Sequence, residues 1–256
     1  MKLRYSVWDP TGNVTLLVET PVPVEAQQRV AAELMALEPK AEQAGFLSQD
    51  GAADIALRMA GGEFCGNASM SAAVCACEAA GADNGEVTVR VSGAEQPVRV
   101  RVGRQPDGVW QGSVEMPQPI SVSGQLLPGV GTVPVVRLPG ITHVVLTEPM
   151  PRPLAERQAR VWCGQLEADA LGLMFLDQRR GRLTPLVYVP ASDTLFWETS
   201  CASGTTAVGA YLAEAGDFTA AALQQPGGVL TVSREAGRLW LTGTVRRETQ
   251  KEINIQ

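Results

Sequence analysis

Two cysteines of this 256-residue chain stand at the head of matching stretches. Cys65 opens "CGNASMSAAVCACEAAG" and Cys201 opens "CASGTTAVGAYLAEAG": a thiol, small polar and glycine residues, a helix-forming run, then Ala-Gly. A helix start leaves backbone N–H groups unpaired and carries partial positive charge, so a thiol there has its thiolate stabilised and its pKa lowered. The same N–H groups suit a carboxylate. Gly66 and Asn67 after Cys65, and Ser203 and Gly204 after Cys201, let a ligand come close to the backbone. Each stretch thus supplies an acid/base group and part of a carboxylate cradle. One such cysteine alone reads as structural; two, in a chain poor in other acid/base candidates, read as a pair. Placed on opposite faces of an α-carbon, one sulfur removes the proton and the other returns one. That is racemisation by two bases, with the helix N-termini and exclusion of water stabilising an enediolate-like transition state.

Other chemistries lack their residues. The lysines, Lys2, Lys40 and Lys251, lie in no glycine-rich or buried-looking context, so no Schiff-base cofactor is expected. His143 is the sole histidine, which excludes a His-rich metal cluster, and no metal is expected. It is the alternative general base, though with both thiols filling the proton-transfer roles it reads as structural or supporting. Cys75-Ala-Cys77 is too tight for zinc spacing and lies in a helical pattern, where both read as small core residues. Five cysteines at irregular spacing argue against a disulfide framework. The net charge of -6 argues against nucleic acid or an anionic membrane as partner. The N-terminus turns polar too early for a signal peptide and no apolar run is long enough to span a bilayer. A cytoplasmic location is expected, and a homodimer is left open.

These side chains need elements to hold them. Helical periodicity covers about 25–37, 68–80, 153–168 and 203–215, and alternation marks strands such as "RYSVWD", "EVTVRVSG", "PVRVRVG", "THVVLTE" and "RLWLTGTVRR". The Pro/Gly-rich "EMPQPISVSGQLLPGVGTVPVV" separates two stretches of similar size. The expectation is an α+β fold with domains 1–117, carrying Cys65, and 118–246, carrying Cys201.

At several points the sequence resembles the diaminopimelate epimerase family of cofactor-independent amino-acid racemases. "GGEFCGNASM" is similar to that family's first-cysteine motif Glu-x-Cys-Gly-Asn, and "SCASGTTA" to its second, Ala-Cys-Gly-Thr-Gly, with Ala202 where glycine is usual. "WDPTGNVTLLVE" resembles its N-terminal segment and makes Asn13 the counterpart of a substrate-binding asparagine; "EQAGFL" places Gln43 near the binding glutamine. "PGITHVVL" resembles the Gly-Asn-Pro-His strand, with His143 in register and Ile141 replacing asparagine. The resemblance implies two similar domains, each an antiparallel sheet around a central helix, with the active site in the cleft between them. It also implies that about 247–256 return to the first domain. It further implies Cys65 and Cys201 as the acid/base pair, no cofactor, a free amino acid as substrate, and Gly66, Asn67, Ala202 and Ser203 among the binding residues.

The departures bear on substrate. The epimerases hold a Glu-Arg-Gly segment before the second cysteine, and "ASDTLFWETSC" has no arginine. Asp193 and Glu198 stand there instead, beside Phe196 and Trp197, which suits a cationic or ring-bearing side chain. The pattern is closest in character to histidine racemases of this fold, including those serving opine metallophores. A diaminopimelate epimerase, a proline or hydroxyproline epimerase, and a non-catalytic amino-acid binder are the alternatives. The binder needs neither thiol. Glu63 could orient Cys65 or be a plain polar residue near a helix start.

Overall fold

The structure, a computed structural model, describes residues 1–214 and 216–255. The chain divides into two compact units, Met1–Glu115 with Thr242–Gln256, and Met116–Leu241. The return to the first unit begins at Thr242, earlier than the expected start near Arg247.

The first unit runs β1 (Lys2–Pro10), β2 (Thr15–Val18), α1 (Val24–Leu37), β3 (Gln43–Asp50), β4 (Ala53–Met59), α2 (Gly66–Ala79), β5 (Asn84–Val91), β6 (Val98–Arg104) and β7 (Trp110–Glu115). Neighbouring strands follow chain order, and the late strand β16 (Arg238–Asn254) lies next to β7 and pairs antiparallel with β1, from Lys2 opposite Asn254 to Pro10 opposite Val245. The strands so close around α2, which packs on β1, β4, β5, β6 and β7. Residues 66–74 of α2 are all buried, which is why that helix shows no polar stripe and is built from Ala, Ser, Gly and Val. Close approach matters here: a Cβ on Gly112 of β7 would fall 2.9 Å from Met70. Outside, α1 packs on β3 and buries one stripe, Gln27, Val30, Ala31 and Leu34.

The second unit repeats the plan with β8 (Ser121–Leu127), β9 (Gly131–Leu138), β10 (Ile141–Leu146), α3 (Arg152–Gln165), β11 (Leu171–Asp177), β12 (Arg182–Val189), β13 (Thr194–Trp197), α4 (Ala202–Glu214), β14 (Ala220–Gln225) and β15 (Gly228–Glu235). Its α3 packs on β11 and β12, while α4 packs on β9, β10, β11, β14 and β15. Strand alternation sorts the two sides. Val144, Leu146, Leu171 and Leu173 join Ala155, Ala159 and Trp162 of α3, whereas Val145, Met174 and Val187 join Cys201 and Val208 of α4.

One expectation needs correction. The sheets are mixed, not antiparallel: β2/β3, β4/β5, β10/β11 and β12/β14 pair parallel. Each of these pairs is joined across a helix, and a helical crossover returns the chain in the same direction. The Pro/Gly-rich segment also forms structure. Its "PGVG" is the turn of a β8–β9 hairpin, with Gly129 and Gly131 at φ 87° and 76°.

Candidate active site

Cys65 is the N-cap of α2, extended at φ -134° and ψ 111°, and its sulfur accepts a hydrogen bond from Ala68 N at 3.4 Å. The Ser69 hydroxyl, four residues on, bonds back to the Cys65 carbonyl at 2.8 Å. The segment before the cap is held from below by the β5–β6 turn, where Ser92 Oγ donates to the Glu63 carbonyl at 2.8 Å. Gly93, at φ 74°, packs so closely there that a Cβ would lie 2.3 Å from Phe64 N. Glu63 itself is exposed.

A chain of amides reaches the sulfur. The Cys65 thiol donates to Gln43 Oε1 at 3.3 Å; Gln43 Nε2 donates to Asn13 Oδ1 at 2.7 Å and to Thr15 Oγ1 at 2.8 Å. Asn67 Nδ2 also donates to Asn13 Oδ1, at 3.0 Å, and Asn13 Nδ2 donates to Glu42 Oε2 at 2.6 Å. Parallel register puts Thr15 opposite Gln43, and Asn13 follows a tight turn with Thr11 at φ 57° and Gly12 at φ 88°. Four residues singled out in the sequence, Asn13, Gln43, Cys65 and Asn67, thus meet in one network, with Gly66 in the first turn beside them. The Asn67 side-chain oxygen is buried with no hydrogen-bond partner.

In the second unit Cys201 immediately precedes α4. Its sulfur accepts from Gly204 N at 3.3 Å and lies 3.6 Å from Ser203 Oγ, and the Thr205 hydroxyl returns to its carbonyl at 2.7 Å. Gln225, buried at the end of β14, clamps this start: its Oε1 accepts from Cys201 N at 2.9 Å and its Nε2 donates to Thr205 Oγ1 at 2.7 Å. The Cys201 thiol also donates to the Glu198 carboxylate. Here the expected lowering of the thiol's pKa is overturned. Full burial in the α4-side core pushes it well above the ordinary thiol value, and the Glu198 charge and hydrogen bond push it further; Ser203 and Gly204 offset only part. A helix N-terminus stabilises a thiolate by a modest amount, and desolvation beside a carboxylate outweighs it.

Asp193 lies elsewhere. It is exposed at φ 47°, accepts from Tyr188 OH at 3.3 Å and stands 3.7 Å from Arg160 of α3. Arg152, also of α3, sits over the Trp197 ring at 4.6 Å. His143 is fully buried on the α4 side of β10, its Nδ1 placed 2.2 Å from where a Gly172 Cβ would be. Neither ring nitrogen has a hydrogen-bond partner, and burial pushes its pKa down to about 3, so it is neutral. Sequence reasoning missed Glu42, Thr15, Thr205 and Gln225. One signal was present: both motifs place a hydroxyl four residues after the cysteine, Ser69 and Thr205. Nothing local marks Gln225, which is distant in sequence and recruited by the fold. Among the described residues no group of His, Cys, Asp and Glu could hold a metal.

The fold is shared with solved structures described as racemases and epimerases. A probable proline racemase from Agrobacterium radiobacter, solved with bound carbonate, superposes with a TM-score of 0.71 over 99% of this chain and 93% of its own, at 14% identity. A predicted epimerase from Pseudomonas aeruginosa gives 0.76 over 99% and 100%, at 17% identity. The chain is an isomerase, an amino-acid racemase. It belongs to the family described as "Histidine racemase CntK N-terminal domain", whose profile matches residues 2–246. It is 30% identical over 247 residues to the histidine racemase of Staphylococcus aureus strain Mu50, covering 90% of this chain and 88% of that protein. To the histidine racemase of Fusobacterium nucleatum it is 27% identical over 258 residues, covering 96% and 95%.

Proposed function

We propose that this racemase interconverts L- and D-histidine without a cofactor, with Cys65 and Cys201 as its acid/base pair acting on one substrate molecule. The observation that carries the reading is the repeated cap: in each unit a cysteine sulfur accepts the free N–H of a buried helix, at 3.4 and 3.3 Å. A thiol so placed can hold a proton and release it. The unpaired N–H groups of both helix starts, at Gly66 and Asn67 and at Ala202 and Ser203, are suited to the substrate carboxylate and to the charge that builds on it as the α-proton leaves. The finer arrangement, a diaminopimelate epimerase-like cleft bringing the two caps to opposite faces of the α-carbon, belongs to this proposal.

Histidine is favoured by the names of the relatives and by Glu198. A half-buried carboxylate beside Cys201 suits an imidazole or ammonium better than a second carboxylate. Asp193 is the weaker candidate for recognition, because Tyr188 and Arg160 already engage it. The test is α-deuterium incorporation from D₂O with single amino acids, followed by chiral chromatography. L-Histidine should exchange and racemise, and Cys65→Ser and Cys201→Ser should each abolish racemisation, since an alcohol is far too weak an acid to replace a thiol. Racemisation of another amino acid with histidine untouched would overturn the substrate but not the chemistry. Near wild-type racemisation by either serine variant would overturn the two-thiol mechanism.

A further inference from the structure

The amide network on Cys65 has a direction, and its chemistry fixes it. The two ends of an amide are distinguished by their partners. Here one partner is unambiguous, because the Glu42 carboxylate only accepts. It takes Asn13 Nδ2 at 2.6 Å, so Asn13 turns its Oδ1 inward, and Gln43 and Asn67 must both present NH₂ groups to it. The second hydrogen of Gln43 goes to Thr15 Oγ1, which donates its own proton to the Asn13 carbonyl at 2.9 Å and can therefore only accept from Gln43. With both N–H bonds committed, Gln43 has its Oε1 left for the sulfur.

We propose that Glu42, an exposed residue two hydrogen bonds away from the amide that touches the sulfur, is a positioning residue for Cys65: with Thr15 it holds Gln43 as an acceptor, so that resting Cys65 is a thiol. The inference rests on the reading of Cys65 as an acid/base group. Ala68 N–H, on the other side of the sulfur, stabilises the thiolate that forms when the proton leaves. Reversal of the chain would turn Gln43 Nε2 toward the sulfur and favour thiolate at rest. Of the other acids on the flanking segments, Asp9 accepts from Gly12 N and Glu63 is exposed.

The test compares Glu42→Asp, Glu42→Gln and the double variant Glu42→Gln/Thr15→Val. Iodoacetamide alkylation is followed at neutral pH by mass spectrometry of the peptides carrying Cys65 and Cys201. A thiolate is the species that reacts. Glu42→Asp, which keeps an acceptor-only group, should alkylate Cys65 at the wild-type rate. The double variant, with both locks on Gln43 removed, should alkylate it roughly fivefold faster, the effect of about one net hydrogen bond. Cys201 should keep its rate in every variant. An unchanged Cys65 rate in the double variant overturns the proposal, and so does equal acceleration at Cys201, which would mark general loosening. The alkylation result stands apart from turnover: a wild-type protein that exchanges no α-proton would sink the acid/base reading while leaving the direction of the relay measurable.

Discussion

Cys65 and Cys201 share a backbone setting and differ in what meets the sulfur: a neutral amide oxygen in one case, a carboxylate in the other. The setting was legible in the sequence, because a cysteine before small residues and a helix-forming run has one physical meaning. The partners were only half legible. Asn13 and Gln43 were reached through family resemblance, and Glu42, their neighbour in the network, carries no signal that distinguishes it from any exposed acid. His143 shows the same limit, since its type suggested chemistry and its burial decides its charge. Held neutral in the fold with a pKa of about 3, against an ordinary 6.5, it takes up no proton between those values while the unfolded chain does. Its contribution is therefore fully favourable above pH 6.5 and is lost as pH falls toward 3. We expect the urea stability of the wild type to fall with acid by about 1.4 kcal/mol per pH unit more than that of His143→Leu across this window. Parallel stability curves for the two proteins would show that His143 is not held neutral.

At the scale of elements, the helices were read nearly to their ends because α1 and α3 bury single stripes and α2 and α4 run through small residues. Most strands were read from alternation, but not all. Strand β11, "LGLMFLD", lies between α3 and α4, so its residues are buried on both faces and the alternation that marks a strand disappears. The β8–β9 hairpin was lost for another reason, since its turn glycines and prolines look like a linker. Turn geometry does reach the chemistry at Gly93. That residue combines φ 74° with a Cβ position 2.3 Å from Phe64 N and 2.7 Å from the Glu63 carbonyl carbon, so alanine there must displace the backbone leading into Cys65. Gly62, at φ 79° with open space around it, is the control. Gly93→Ala should cost at least about 2 kcal/mol and slow α-proton exchange; Gly62→Ala should cost about 1 kcal/mol, the backbone conformation alone. Equal losses in chemical denaturation would show that the close approach at Gly93 is unimportant.

For the whole molecule, the matched cysteine stretches announced the duplication, but not the point at which the chain changes units. That point falls between Leu241 and Thr242, inside the strand β16. Among the described residues no helix is long and apolar enough to cross a membrane. A chain ending at Leu241 should leave β1 without its β16 partner and lose the first unit, seen as rapid proteolysis between 1 and 115, while 116–241 stay protected. Equal protection of both stretches would show that β16 is dispensable. The returning strand also imposes an order on biogenesis. Residues 116–241 are made before the strand that completes the first unit, so the first unit cannot close until β16 has been made. Until β16 has been made, β1 and β7 are open edges, the kind of surface that aggregates or engages a chaperone, and the unit carrying the Cys65 cap stays incomplete.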